Sequence, residues 1–164
     1  WGPVDLSRPA ERLMGSPTAG VYDGVVSADG RLLVARVEGA KGLNDLAYRS
    51  LAGDTVTRTI VSSPEPKYSP RLSPDGRWVA YSSSEVGTRQ VFVTPMPGPG
   101  PRVQVSTDGG EAPAWSADGR RLYYVHAKQL IAATLAPGNE FVVASRATRS
   151  ARKLRRTSRL FRPR

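Results

Sequence analysis

"RLSPDGRWVAYS", residues 71–82, decides the fold, because each part of it has a mechanical reason. Asp75-Gly76 tolerates the positive φ of a tight hairpin, since glycine has no Cβ and aspartate bonds its own backbone. Trp78-Val79-Ala80-Tyr81 is apolar at consecutive positions, the pattern of a strand covered on both faces. The stretch also recurs. "VVSADGRLLVAR" at 25–36 and "AWSADGRRLYYV" at 114–125 share its order: apolar residue, Ser, small residue or Pro, Asp, Gly, Arg, one variable position, then apolar residues. Ser27, Ser73 and Ser116 stand 46 and 43 residues apart, close to the ~40–45 residue period of a four-stranded propeller blade.

Each copy continues alike. After the second, Gly87 breaks the chain before Val91-Phe92-Val93, the stretch "PMPGPGP" at 95–101 turns it again, and Val103-Gln104-Val105 alternates before "TDGGEAP" leads into the third. The later strands of the first unit fall at 45–50 and 56–61, and those of the third at 129–135 and 141–144. Val4-Asp5-Leu6 and Glu11-Arg12-Leu13 read as the last strands of a truncated preceding blade. The expectation is an all-β, partial β-propeller of about three and a half antiparallel blades, an open arc or fragment of a closed ring. Its divisions are 1–19 (end of a preceding blade), 20–66, 67–109 and 110–145 (three blades), and 146–164 (a basic tail, disordered or weakly helical). Exposed blade edges at both ends invite pairing with other chains unless further sequence completes the ring.

Composition bounds the function. The 164 residues are 39% hydrophobic and 23% charged, with no cysteine, so disulfides and thiolate metal sites are excluded. No apolar run is long enough for a transmembrane helix, and a start at Trp1 without a leader reads as a piece of a longer protein. The net charge of +10 is concentrated: the last 19 residues hold nine basic side chains and no acid, whereas the preceding 145 carry 15 basic and 14 acidic groups. Arg149, Arg152, Lys153, Arg155, Arg156 and Arg159 are therefore the candidate contacts to an anionic partner, nucleic acid or membrane. The alternative is a solvated end without a role of its own.

The segment 73–125, "SPDGRWVAYSSSEVGTRQVFVTPMPGPGPRVQVSTDGGEAPAWSADGRRLYYV", resembles the TolB-like, WD-related propeller repeat of bacteria, with its Pro-x-aromatic-Ser-x-Asp-Gly-Arg core. The resemblance runs from about residue 20 to residue 145. Residues 91–125 are particularly similar to propellers C-terminal to bacterial serine/threonine protein kinases, and this likeness implies a sensing or binding module placed outside the cytoplasm. The first copy departs from the pattern, with Gly24 and Val26 where the third has Pro113 and Trp115, and the second keeps Pro70 but has Leu72.

Catalytic motifs are missing. No glycine-rich phosphate loop, His-Arg-Asp, Asp-Phe-Gly or Gly-x-Ser-x-Gly occurs, and His126 is the single histidine, read as structural or solvated. No cofactor or metal is implied. The pairs Asp29-Gly30, Asp75-Gly76 and Asp118-Gly119 read as structural turns, because one aspartate per blade does not assemble the six to eight oxygens of a calcium shell. Trp78, Trp115, Tyr81, Tyr123 and Tyr124 read as packing between blades, with a pocket as the alternative. The Pro-Gly stretch is a rigid exposed loop or a recognition element. The expected function is a non-catalytic interaction or sensor propeller taking a protein or peptide, with a small-molecule ligand as a further option. Two alternatives stay open: the gating propeller of a prolyl-oligopeptidase-like serine peptidase, and anionic-surface binding through the tail.

Overall fold

The computed structural model describes residues 12–15, 20–39, 44–53 and 56–149, and their regular structure is entirely β. Twelve strands form three four-stranded antiparallel sheets in sequential order. The first holds β1 (Val21–Val26), β2 (Leu32–Glu38), β3 (Asn44–Ser50) and β4 (Arg58–Val61). The second holds β5 (Lys67–Leu72), β6 (Trp78–Val86), β7 (Thr88–Pro95) and β8 (Val103–Gln104). The third holds β9 (Glu111–Trp115), β10 (Arg121–His126), β11 (Gln129–Leu135) and β12 (Val143–Arg149). The first strand of each sheet lies against its counterpart in the next, β1 on β5 and β5 on β9, so these three are the inner strands and the sheets are propeller blades in an arc.

One expectation changes, and another lies mostly outside the described residues. β12 continues to Arg149, beyond the end assigned to the third blade, because Arg146, Ala147, Thr148 and Arg149 pair in register with Ala133, Ala132, Ile131 and Leu130. An edge strand exposes one side to water, so arginine there does not prevent pairing. Of the truncated preceding blade, Arg12–Gly15 form no strand and residues 1–11 lie outside the described residues; so does 150–164.

Alternation along the strands gives each blade two faces. Val34, Leu46 and Ile60 of blade 1 pack on Val79, Tyr81 and Phe92 of blade 2. The opposite face of blade 2, with Ala80, Val91 and Val93, packs on Leu122, Tyr124 and Ala133 of blade 3, closed by Phe141. The valine, leucine, isoleucine and phenylalanine side chains among them contribute about 1.5–3 kcal/mol each when fully buried, so these seams supply much of the cohesion. Every inner strand also carries a bulge: pairing slips at Val21/Asp23, at Tyr68/Arg71 and opposite Tyr123/Val125. In β5 and β9 the residue before proline sits at positive φ, Ser69 at 51° and Ala112 at 50°. Asp23 uses the first of these bends: its Oδ2 accepts the Ser69 N–H at 3.2 Å while its Oδ1 accepts Arg36 Nε at 2.8 Å.

The seam between blades 1 and 2 contains a fully buried lysine. Lys67 Nζ donates to the Ser63 carbonyl at 2.6 Å and lies 3.9 Å from Asp45 Oδ1, with Glu85, itself paired with Arg102, beside it. Burial holds the Lys67 ammonium below its ordinary value of 10.5, against the pull of Asp45 and Glu85. The folded chain therefore releases this proton at lower pH than the unfolded chain, and the stability tied to it rises as pH climbs toward 10.5. Lys67→Ala is expected to cost about 3 kcal/mol by stranding Asp45, and Asp45→Asn in that background to recover part of it. A double-mutant cycle from urea melts reads the coupling, and additivity of the two changes would show that the pair does not interact.

Candidate interaction site

The three Ser-x-Asp-Gly-Arg segments fold into the same hydrogen-bonded turn. In the first, Ser27 Oγ donates to Asp29 Oδ1 at 2.5 Å, Asp29 Oδ1 accepts the Arg31 N–H at 3.0 Å, and Ser27 Oγ accepts the Leu32 N–H at 2.9 Å. The second repeats this with Ser73, Asp75, Arg77 and Trp78 at 2.6, 3.1 and 3.0 Å. The third does so with Ser116, Asp118, Arg120 and Arg121 at 2.6, 3.0 and 2.9 Å. Gly30, Gly76 and Gly119 take φ of 72°, 72° and 67°, a region that disfavours a Cβ. Oδ1 of each aspartate is thus committed to its own turn, and among the described residues no group of three acidic or histidine side chains gathers at metal-ligand spacing.

Because the turns follow the inner strands, all three lie on one rim of the arc. There Val26, Ser27, Leu72, Ser73, Trp115 and Ser116 surround a mouth of about 410 Å³. A larger groove, about 880 Å³, adjoins it between blades 2 and 3. Its apolar wall is a mutually packed aromatic group, with Phe141 5.4 Å from the Trp78 ring and 6.1 Å from that of Trp115, between centroids. Trp115 Nε1 donates to the Arg71 carbonyl at 3.0 Å and so ties blade 3 to the inner strand of blade 2. Pro74 and Pro137 add rigid surface, and the rim carries both signs of charge: Asp75, Asp118 and Glu140 against Arg77, Arg120 and Arg121. Arg77 is partly engaged, Nε lying 2.8 Å from Asp75 Oδ2.

The turn hydrogen bonds lower the pKa of all three aspartates. Bonds from Ser27 and Arg31 hold Asp29 below 3.8, and bonds from Ser116 and Arg120 do the same for Asp118. For Asp75 partial burial pushes upward, but bonds from Ser73 and Arg77 outweigh it. The folded chain keeps these carboxylates ionised at lower pH than the unfolded chain does. Their contribution is complete above 3.8 and is lost as pH falls below it toward the folded values. Asp75→Asn, which keeps an acceptor oxygen, is expected to flatten the fall of the melting temperature between about pH 4 and 2. Asp75→Ala is expected to cost about 1 kcal/mol at neutral pH, the side chain being half exposed. Melting curves across that pH range check both, and an unchanged acid limb in Asp75→Asn would remove the turn carboxylate from the account.

His126 stands at the opposite end of β10, in a cleft of about 170 Å³ with Asp108, Tyr124 and Arg146 but no serine. Tyr81, Tyr124, Trp78 and Trp115 all belong to or pack against the inter-blade clusters, and Tyr123 is half-buried on the outer face of blade 3. The Pro-Gly loop is less free than its composition implies, since a Cβ at Gly98 would meet the Ile60 side chain at 2.9 Å. Arg149 lies at the end of β12, and Arg152, Lys153, Arg155, Arg156 and Arg159 lie outside the described residues. Sequence reasoning missed Lys67, because one lysine beside a strand carries no sign of burial. It missed Phe141 as part of the groove, because only tertiary packing brings that residue to Trp78.

Three stacked, four-stranded blades with this inner-strand geometry define a β-propeller. No protein-family model matches the chain, and no curated protein sequence does. Solved structures do. TolB from Acinetobacter baumannii is similar over 68% of this chain and 29% of its own, at 17% identity and a TM-score of 0.59. A protein solved as a TolB of Agrobacterium tumefaciens matches over 83% of this chain and 50% of its own, at 16% identity and a TM-score of 0.62. The propeller domain of the trilobed protease from Pyrococcus furiosus, described as having an open velcro topology, matches over 81% and 43%, at 18% identity and a TM-score of 0.59. The chain spans half or less of each of these structures, and what it shares with them is the propeller fold.

Proposed function

We propose that this chain is a non-catalytic interaction module of the TolB-like kind, which takes an extended segment of a partner protein in the groove between blades 2 and 3. The observation that carries the reading is the groove: an aromatic wall of Trp78, Trp115 and Phe141, flanking prolines, and a rim carrying both signs of charge. Aromatic anchors inside a polar rim are the composition of interface hot spots. A peptide supplies apolar side chains for the wall and charged ones for the rim, whereas a small molecule fills little of a cleft this open. The repeat resemblance and the fold likeness to TolB propellers support the same reading. A setting in a receptor-like serine/threonine kinase, with the propeller outside the cytoplasm, rests on the sequence resemblance of residues 91–125.

A displayed library of 12-residue peptides panned on the full chain tests the proposal. The selected peptides are expected to quench or shift tryptophan fluorescence on binding, and to bind at least tenfold more weakly to the exposed-rim variant Arg120→Glu/Arg121→Glu. Equal affinity for that variant, or no peptide selected above an unrelated propeller, overturns the reading. Arg149, Arg152, Lys153, Arg155, Arg156 and Arg159 carry the other proposal, contact with an anionic surface. A chain ending at residue 149, which leaves β12 intact, is expected to lose salt-dependent binding to duplex DNA or anionic vesicles; undiminished binding removes that proposal.

A further inference from the structure

We infer that the small cleft at the far end of the seam between blades 2 and 3 binds a free α-amino acid, with its carboxylate on Arg146 and its ammonium on Asp108. The cleft, about 170 Å³, is lined by both of those residues together with Thr107, Tyr124, His126 and Ile131. It lies on the rim opposite the aromatic groove and shares no residue with it. Each charge is anchored in a way that leaves it able to take a guest. Arg146 Nε donates to the Val105 carbonyl at 2.6 Å, which pins the guanidinium across the seam and leaves its terminal nitrogens as donors. Asp108 Oδ2 accepts the Thr107 hydroxyl at 3.1 Å, which leaves Oδ1 as an acceptor. Although the two line one cleft, no ion pair joins Arg146 to Asp108 among the described residues.

A guest that answers both charges is a zwitterion. A lone anion drawn to Arg146 would meet Asp108, and a lone cation drawn to Asp108 would meet Arg146, and like charges brought together cost several kcal/mol. An α-amino acid carries both charges on one carbon. The space selects a small one, being well below the about 300–1,000 Å³ of sites for drug-sized ligands. Ile131, Ala147 and the Tyr124 ring supply apolar surface for its side chain. The loop that carries Asp108 is built to lie close on blade 3. Gly109 takes φ of 115°, and a Cβ there would meet His126 Nδ1 at 2.9 Å. A Cβ at Gly110 would meet Ser106 Cβ at 2.8 Å and the Tyr124 ring at 3.0 Å, while the Gly110 N–H donates to the Arg89 carbonyl at 2.8 Å. Two glycines directly after Asp108 thus let its backbone settle on β10, where a side chain at either position would push the carboxylate away from the cleft.

His126 is the single histidine of the chain, so its ring protons in a nuclear magnetic resonance spectrum report on this cleft alone. Titration of the full chain with glycine, alanine and leucine is expected to move those signals saturably. N-acetylalanine, which lacks the ammonium, and alaninamide, which lacks the carboxylate, are each expected to bind about tenfold more weakly than alanine, the loss of one hydrogen bond between charged groups. Arg146→Gln is expected to weaken alanine about tenfold and to leave alaninamide unchanged. Asp108→Asn, at an exposed position, is expected to weaken alanine to the same extent and to leave N-acetylalanine unchanged. A substitution that merely loosened the seam would weaken all of these ligands together. No saturable movement with any of the three amino acids, equal affinity for alanine and either derivative, or an unchanged affinity for alanine in Asp108→Asn each overturns the proposal. Asp108→Asn decides the matter even where Arg146→Gln does not fold.

Discussion

The Ser-x-Asp-Gly-Arg turn fixes register, and everything else follows from register. A hairpin one residue out would exchange the two faces of its second strand. Ser73 Oγ, bridging Asp75 and the Trp78 N–H, leaves that strand a single pairing with β5, and the same set of bonds recurs at Ser27 and Ser116. With register fixed, Val79 and Tyr81 must face backward and Ala80 forward. A sheet apolar on both sides has no stable existence alone, so stacking becomes the only way to cover it.

The two seams solve the same problem with different chemistry. Between blades 1 and 2 the apolar cluster is continued by charge, with Lys67 held among Asp45, the Ser63 carbonyl and Glu85. Beside the seam of blades 2 and 3 a neutral set lies within blade 2, Gln90 Oε1 accepting both Ser106 Oγ and the Gly109 N–H while Ser106 Oγ accepts the Val91 N–H, and Arg146 Nε of blade 3 crosses to the Val105 carbonyl at 2.6 Å. Nearer the far ends of the inner strands, stacked cations bridge the blades, Arg36 over Tyr22 and Tyr68, and Arg89 over Tyr68 while paired with Glu111. Contacts of this kind contribute about 0.5–1 kcal/mol each where exposed.

Legibility in the sequence tracked the range of the interactions. The turns and the four-strand units were readable because their determinants lie within a few residues of each other, and the consecutive apolar residues of β6 announced a strand covered twice. β12 was not readable past residue 145, because arginine composition masks an edge strand whose pairing is decided by β11. The Pro-Gly loop looked exposed because nothing local reveals that Gly98 lies against Ile60, far away in the chain. The aromatic residues were assigned to packing between blades, which holds for Trp78, Tyr81, Trp115 and Tyr124 but not for Tyr123; that Trp78 and Trp115 also form a groove wall depends on where the β11–β12 loop runs.

That loop explains why the groove opens at the second seam. In both blades 2 and 3 the connection from third to fourth strand folds back on the preceding blade. In blade 2 it does so by packing closely: Met96 joins the apolar cluster and a Cβ at Gly98 would meet Ile60, so the loop lies against its seam. In blade 3 the loop reaches back with one large side chain. Phe141 inserts beside Trp78 and Trp115, and Ala136, Pro137, Gly138 and Glu140 line the groove beside it. The ring wall and the loop that carries Phe141 thus face one groove on the rim where the turns lie. Contact area of that kind gains most from a partner that brings its own apolar side chains, because the protein has already met the cost of ordering the rings.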